Sequence, residues 1–135
     1  MEVLKRYCVD SDVLIDYLCG FEPARSFLLK SGAEALLNVS VVSIAEIYAG
    51  KETASAIKRL LIDRFLSNFY VIGVDAQIAK VAGIIRRDYN KPFADAIIAA
   101  ASLAYDLRLV TKNVRHFKEI KGLNNIKSLL SHENH

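Results

Sequence analysis

The chain has 135 residues, 53% of them hydrophobic, with 18 lysines and arginines against 15 aspartates and glutamates. That length allows one domain over residues 1–135, whose core buries roughly two-thirds of the unfolded surface, so folding needs neither disulfides nor metals. The hydrophobic fraction excludes a disordered chain, and a net charge of +3 permits a polyanionic partner without demanding one.

Short apolar runs that read as buried strands alternate with stretches of helical length and period. The first strand is expected over Val3–Val9, followed by a helix from Ser11 with Val13, Leu14 and Tyr17 on its apolar side. Glu22-Pro23 opens a second helix, because proline is tolerated in a first turn. Leu36–Val39 is the second strand, and Ser43-Ile44-Ala45-Glu46 reads as a helix start with Gly50 near its end. Thr53–Leu66 is amphipathic, with Ile57, Leu60, Leu61 and Phe65 expected to face inward. Tyr70–Val74 is the third strand, and Asp75 caps a helix running to about Tyr89. After the break at Pro92, a small-residue helix covers about Ala94 to Tyr105, Leu109–Thr111 is a fourth strand, and Asn125–Leu129 offers a fifth.

Strands joined by helical crossovers cannot pair as hairpins, so the expected fold is a three-layer α/β/α domain with a mostly parallel sheet of four to five strands. Cys8 and Cys19 lie in apolar stretches without C-x-x-C spacing. Each is expected to be a small buried hydrophobe in a reducing compartment. The richest apolar run, Ala96–Ala101, is cut by Ser102 and fenced by Asp95 and Asp106, so no membrane helix is expected. Residues Met1 to Arg6 lack the basic-then-apolar order of a signal peptide. A cytoplasmic location follows as an expectation.

In open α/β sheets, ligands bind beyond the carboxyl ends of the strands. Asp10 and Asp12 follow the first strand, Glu46 lies past the second, Asp95 opens the late helix, and Asn113 stands after the fourth strand. Clustering Asp10, Glu46 and Asp95 without neutralisation would cost several kcal/mol, because like charges raise each other's pKa. A hard cation, Mg²⁺ or Mn²⁺, removes that cost, whereas no His/Cys pattern proposes zinc. Such a metal suits phosphodiester hydrolysis by activating a water and neutralising the leaving oxygen.

Each acid also has a plain structural role open to it. Asp10 or Ser11 can cap the first helix, Glu46 can close a Ser-x-x-Glu box with Ser43, and Asp95 can complement a helix dipole. Asp75 fits the capping role, and Asp12 serves either as a helper to the neighbouring acids or as a first-turn acid. Between Arg108 and Lys127 six basic residues face the single acid Glu119. This stretch is expected to lie beside the acids, where Lys112, Arg115 and Lys118 can contact phosphates or remain a solvated surface.

Four strings resemble the motifs of PIN-domain ribonucleases, in that family's order and across nearly the whole chain. They are Val9-Asp10-Ser11-Asp12-Val13-Leu14-Ile15-Asp16, Ser43-Ile44-Ala45-Glu46-Ile47-Tyr48-Ala49-Gly50, Phe93-Ala94-Asp95-Ala96-Ile97-Ile98-Ala99-Ala100 and Leu109-Val110-Thr111-Lys112-Asn113-Val114-Arg115-His116-Phe117. The size looks most like VapC-type toxins of prokaryotic toxin–antitoxin pairs. The resemblance implies that Asp10, Glu46 and Asp95 are metal-binding acids and that Thr111 supplies a hydroxyl near the site. It also implies an RNA substrate, a homodimer and a VapB-like antitoxin. Asn113 departs from the pattern, since a fourth acid often stands there, and His116 stands where another Asp is common. An amide can orient water or touch phosphate but adds no charge. His116 is either a helix-end residue or a phosphate or proton-transfer contact.

Three other readings fit parts of the chain. Asp10-Ser11-Asp12-Val13 matches the D-x-D-x-[TV] signature of haloacid-dehalogenase-like phosphatases, with Asp10 as nucleophile, although the late half has no adjacent Asp pair. A receiver-like module needs a phosphate-accepting Asp at the end of a middle strand, and Asp63 falls in a helical stretch instead. A PIN-like domain that binds RNA or a partner without cutting is the third.

Overall fold

The computed structural model describes residues 4–123 and 125–129; Val3, at the start of the expected first strand, lies outside them. Five strands, β1 (Lys5–Val9), β2 (Ala35–Ser40), β3 (Tyr70–Ile72), β4 (Arg108–Thr111) and β5 (Lys127–Ser128), form one sheet in the order β3-β2-β1-β4-β5. All four pairings are parallel. Helices α1 (Ser11–Leu18) and α2 (Ala24–Ser31) link β1 to β2, α3 (Val41–Tyr48) and α4 (Ala56–Leu66) link β2 to β3, and α5 (Ala76–Tyr89) and α6 (Phe93–Ala104) link β3 to β4. The domain is therefore three-layered with an all-parallel sheet, as the alternation of runs predicts.

Side chains alternate across a strand, and each face of the sheet has its own core. Tyr7 and Val9 of β1, Leu37 and Val39 of β2, and Val110 of β4 pack against Val13, Leu14, Leu28, Ile47, Ile62 and Leu66 from α1 to α4. Cys8 and Leu109 point the other way, toward Ile78, Ala82 and Ile85 of α5 and toward α6. Ala96, Ala99, Ala100 and Ala101 of α6 are fully buried, and their small side chains let helix and sheet approach closely. Phe117, also fully buried, closes this second core from the segment after β4.

Local capping sets the helix starts. Asp10, Ser40, Ser55 and Asp75 each hold extended backbone, and each accepts a hydrogen bond from a following amide, which satisfies a donor that the first helical turn leaves free. Asp75 therefore caps α5 as expected. Ser43 does not open α3. The helix starts three residues earlier, capped by Ser40, and Ser43 sits buried inside it with its hydroxyl unpartnered. Glu46 consequently lies on the sixth residue of α3 and closes no capping box.

The expected inner face of α4 is also corrected. Ile62 and Leu66 are buried and Phe65 stacks on Tyr17 at 4.6 Å, while Ile57, Leu60 and Leu61 are 75%, 55% and 57% exposed. The helix carries two apolar stripes, and the sheet takes the one with Ile62 and Leu66. Cys19 is exposed at the end of α1, so only Cys8 is the buried hydrophobe expected of both. Burial pushes the Cys8 thiol up to about 12, which makes it inert.

Two truncations test this packing. Phe117→Ala is expected to cost about 3–5 kcal/mol and Ile62→Ala about 2–5 kcal/mol, read as lower urea midpoints at unchanged slope.

Candidate active site

The strand order places β2 on one side of β1 and β4 on the other, so chain connections leave β1 and β4 toward opposite sides of the sheet. The crevice between their carboxyl ends is the topological switch point, where such sheets bind ligands. Asp10 follows the last residue of β1, and Thr111 is the last residue of β4.

Backbone bonding fixes both. The Asp10 amide donates to the Val110 carbonyl at 2.9 Å, tying the end of β1 to β4. Asp10 Oδ1 accepts from the Ser11 amide at 2.8 Å, and Oδ2 accepts from Thr111 Oγ1 at 2.9 Å. Thr111 Oγ1 in turn accepts from the Asn113 amide at 3.0 Å. Asp12 Oδ2 receives the Lys112 amide at 3.1 Å and Asn113 Nδ2 at 2.9 Å, with the Thr111 hydroxyl 3.3 Å away. Asp10, at the N-cap of α1, thus holds the last residue of β4, and Asp12 holds the segment after it. The other Asp12 oxygen, Oδ1, is buried without a partner.

Glu46 is exposed, and its Oε1 accepts from Ser11 Oγ at 2.9 Å, which joins α3 to the start of α1. Asp95 is half-buried in the first turn of α6, with His116 Nδ1 3.5 Å from its Oδ2. Arg115 and His116 occupy a short 3-10 turn, and both are exposed, as is Lys118 just beyond it. Lys112 is already engaged: its ammonium lies 2.9 Å from Asp16 Oδ2. Asp10, Asp12, Thr111 and Asn113 are in direct contact, Glu46 joins them through Ser11, and Asp95 on α6 faces His116 of the turn after β4.

Two connections escaped the sequence reading. Ser11 was visible only as a helix cap, yet its hydroxyl reaches Glu46, 35 residues away. Asp16 carried a usable signal, because it lies four residues after Asp12 and therefore on the same side of α1.

The electrostatics are those of a site short of positive charge. Burial, then the adjacent Asp12 carboxylate, push Asp10 up to about 7; hydrogen bonds from Thr111 and Ser11 oppose this, and the Asp95 charge adds to it. Burial likewise raises Asp12, against the Lys112 and Val13 amides. The donors at this edge are oxygens, the ligand type of hard divalent cations. The raised Asp10 and the unpartnered Asp12 Oδ1 fit such a cation. Among the described residues no three His, Cys, Asp or Glu side chains are drawn together into a metal cage, because Glu46 is turned to Ser11 and Asp95 to His116.

Residues 7–123 match the PIN domain family. The chain belongs to the PIN-domain family. It is 40% identical over 120 residues to Ribonuclease VapC10 of Mycobacterium tuberculosis, covering 85% of this chain and 88% of that protein. Ribonuclease VapC19 of the same organism is 30% identical over 116 residues, covering 81% of this chain and 90% of that protein. The structure is also similar to a chain of a toxin–antitoxin complex from Klebsiella pneumoniae. The TM-score is 0.76 at 25% identity, over 91% of this chain and 99% of that one. These relatives place the chain in the VapC-type branch, and neither the phosphatase-like nor the receiver-like reading is favoured.

Because Asp10 is raised above its unfolded value near 3.8, its contribution to stability is full below about pH 4 and is lost as pH rises through about 7. Metal-free protein is therefore expected to lose urea stability from about pH 4 to about pH 7, by an amount on the order of 4 kcal/mol from Asp10. Asp10→Asn should flatten that part of the profile, and saturating Mg²⁺ should restore stability at the upper end.

Proposed function

We propose that this chain is a metal-dependent endoribonuclease of VapC type that hydrolyses phosphodiester bonds of cellular RNA. One observation carries the reading: a buried, uncompensated Asp10 at the switch point, hydrogen-bonded to Thr111 from 101 residues away. Structure that spends burial on an acid without a cationic partner is preparing for a charge that arrives with the ligand.

In this reading Asp10, Glu46 and Asp95 hold Mg²⁺ or Mn²⁺. When bound, the cation supplies a water of lowered pKa and neutralises charge on the scissile phosphate. The chain's own groups do the rest. Thr111 holds Asp10 in place through its hydroxyl. Asn113, fixed by Asp12, presents an amide that orients a water or touches phosphate without adding charge. Asp12 keeps the segment after β4 in register with α1. His116, beside Asp95 and exposed, is placed to contact phosphate or move a proton. Arg115 and Lys118 offer charge to the RNA backbone, while Lys112 contributes after its pairing with Asp16.

A VapB-like antitoxin and a second copy of the chain complete the proposed set of partners. The naming of the Klebsiella complex supports the first. The exposed Ile57, Leu60 and Leu61 on α4 give apolar surface suited to association with another chain. No helix of the described residues is long and apolar enough to cross a membrane, which fits the proposed cytoplasmic location. A PIN-like domain that binds without cutting is the reading that Asn113 suggests, and the paired carboxylates argue against it.

The test is cleavage of several RNAs with Mn²⁺ by purified protein. Asp10→Asn and Asp95→Asn should each lower the rate at least about 100-fold with circular dichroism unchanged, Glu46→Gln should follow, and chelation should do the same. Undiminished cleavage by either Asp variant rejects the assignment.

A further inference from the structure

The basic stretch from Arg108 to Lys127 does not stay together in the fold. Lys112, Arg115 and Lys118 lie at the carboxyl edge of the sheet, whereas Arg108 and Lys127 begin β4 and β5. Lys5 begins β1, so three adjacent strands each start with a cation. The register pairs Tyr7 with Arg108 and Val110 with Lys127. Alternation along the strands then puts Lys5, Tyr7, Arg108 and Lys127 on one face, with each cation set two residues further along the sheet than the last. Strand spacing and rise separate successive Cα atoms in this diagonal by about 8 Å.

This row borders a cavity of about 910 Å³, to which α2 adds Lys30 and Phe27. Among the described residues four cations line it against one carboxylate, Glu34. Among the described residues none of the four forms an ion pair within 4.0 Å. Arg108 spends one N–H on the Asn125 carbonyl, and Lys127 stands 6.0 Å from the Phe27 ring centre. A second cavity of about 410 Å³ shares Lys5, Tyr7 and Arg108 and adds Arg6 and one acid, Asp106, so the cations still outnumber the acids around the edge.

We propose that this amino edge is a second anion-binding site that holds the phosphate backbone of an RNA segment remote from the cleaved bond. A regular row of fixed cations matches a polymer with one charge per nucleotide better than a single small anion or the irregular carboxylates of an acidic peptide. The six residues of β2 set the distance between the two edges at about 20 Å. One RNA strand passing around the outside of the domain, from one edge of the sheet to the other, can engage both. The proposal rests on the ribonuclease reading for the identity of its ligand, and its test needs no cleavage.

Binding is measured in chelator by fluorescence anisotropy, with a labelled oligouridylate of roughly 20 nucleotides. For Lys5→Gln/Lys30→Gln/Lys127→Gln, affinity should fall at least about tenfold. The slope of log affinity against log salt should shrink by about 2, at about 0.7 per lost single-strand contact. A charge-matched control, Lys51→Gln/Lys58→Gln/Lys80→Gln, removes three exposed lysines elsewhere and should keep most of the wild-type slope. Equal losses in both variants, or no loss in the first, overturn the proposal. Polyglutamate that displaces the RNA from wild type but not from the first variant also overturns it, since the site would then prefer a peptide. If wild type fails to cleave RNA with Mn²⁺ while the slope difference persists, the ribonuclease reading fails and this site stands.

Discussion

The hydrogen bond from Thr111 to Asp10 joins the ends of two neighbouring strands that are 101 residues apart in the chain. Around it the molecule is built so that a carboxylate can stay buried. The Asp10 amide is tied to β4, one oxygen caps α1, and the other is held by the threonine hydroxyl. Donors on both oxygens offset part of the cost of burial but add no positive charge. Hence the raised pKa, and hence the need for a cation to make the ionised form comfortable at neutral pH.

From that bond the rest of the edge follows. Asp12 is carried by the same helix turn and captures the Lys112 amide and the Asn113 side chain, so the segment after β4 is shaped by α1 rather than by its own local preferences. The ion pair of Lys112 with Asp16 extends the same face by one helical turn. Ser11 passes the constraint to Glu46 on α3. Because these links are short and share partners, the acids are positioned by a network, and a change at any one is felt by the others. Asp95 stands slightly apart, held by α6 and facing His116.

Charge is divided between the two edges of the sheet. Acids gather where the strands end, and a diagonal of cations stands where three of them begin. Parallel strands make this separation possible, since every strand starts at one edge and finishes at the other. In the proposed reading, a polyanion running around the domain between these edges meets positive charge at one and, with a bound cation, at the other.

Alternation of apolar runs with helical stretches made the all-parallel sheet legible, because only crossover connections fit those spacings. Asp10 and Asp12 beyond β1, Glu46 beyond β2 and Asn113 beyond β4 were legible for the same reason: in such a sheet the residues that follow a strand lie at the ligand edge. Helix starts were legible where one polar residue stood alone, as at Asp75, and misread where two serines competed, as at Ser40 and Ser43. The orientation of α4 was not written in its sequence, since two apolar stripes compete and only the shape of the sheet chooses Ile62 and Leu66. Nor was the division of the basic stretch, because strand register, which depends on pairing partners far along the chain, decides which edge a residue reaches. Sequence by itself determined the order of elements and the kinds of side chain at their ends, which are properties of local pattern. Only the tertiary structure decided which oxygens meet and which cations line up, because those are distances between residues that the chain keeps far apart.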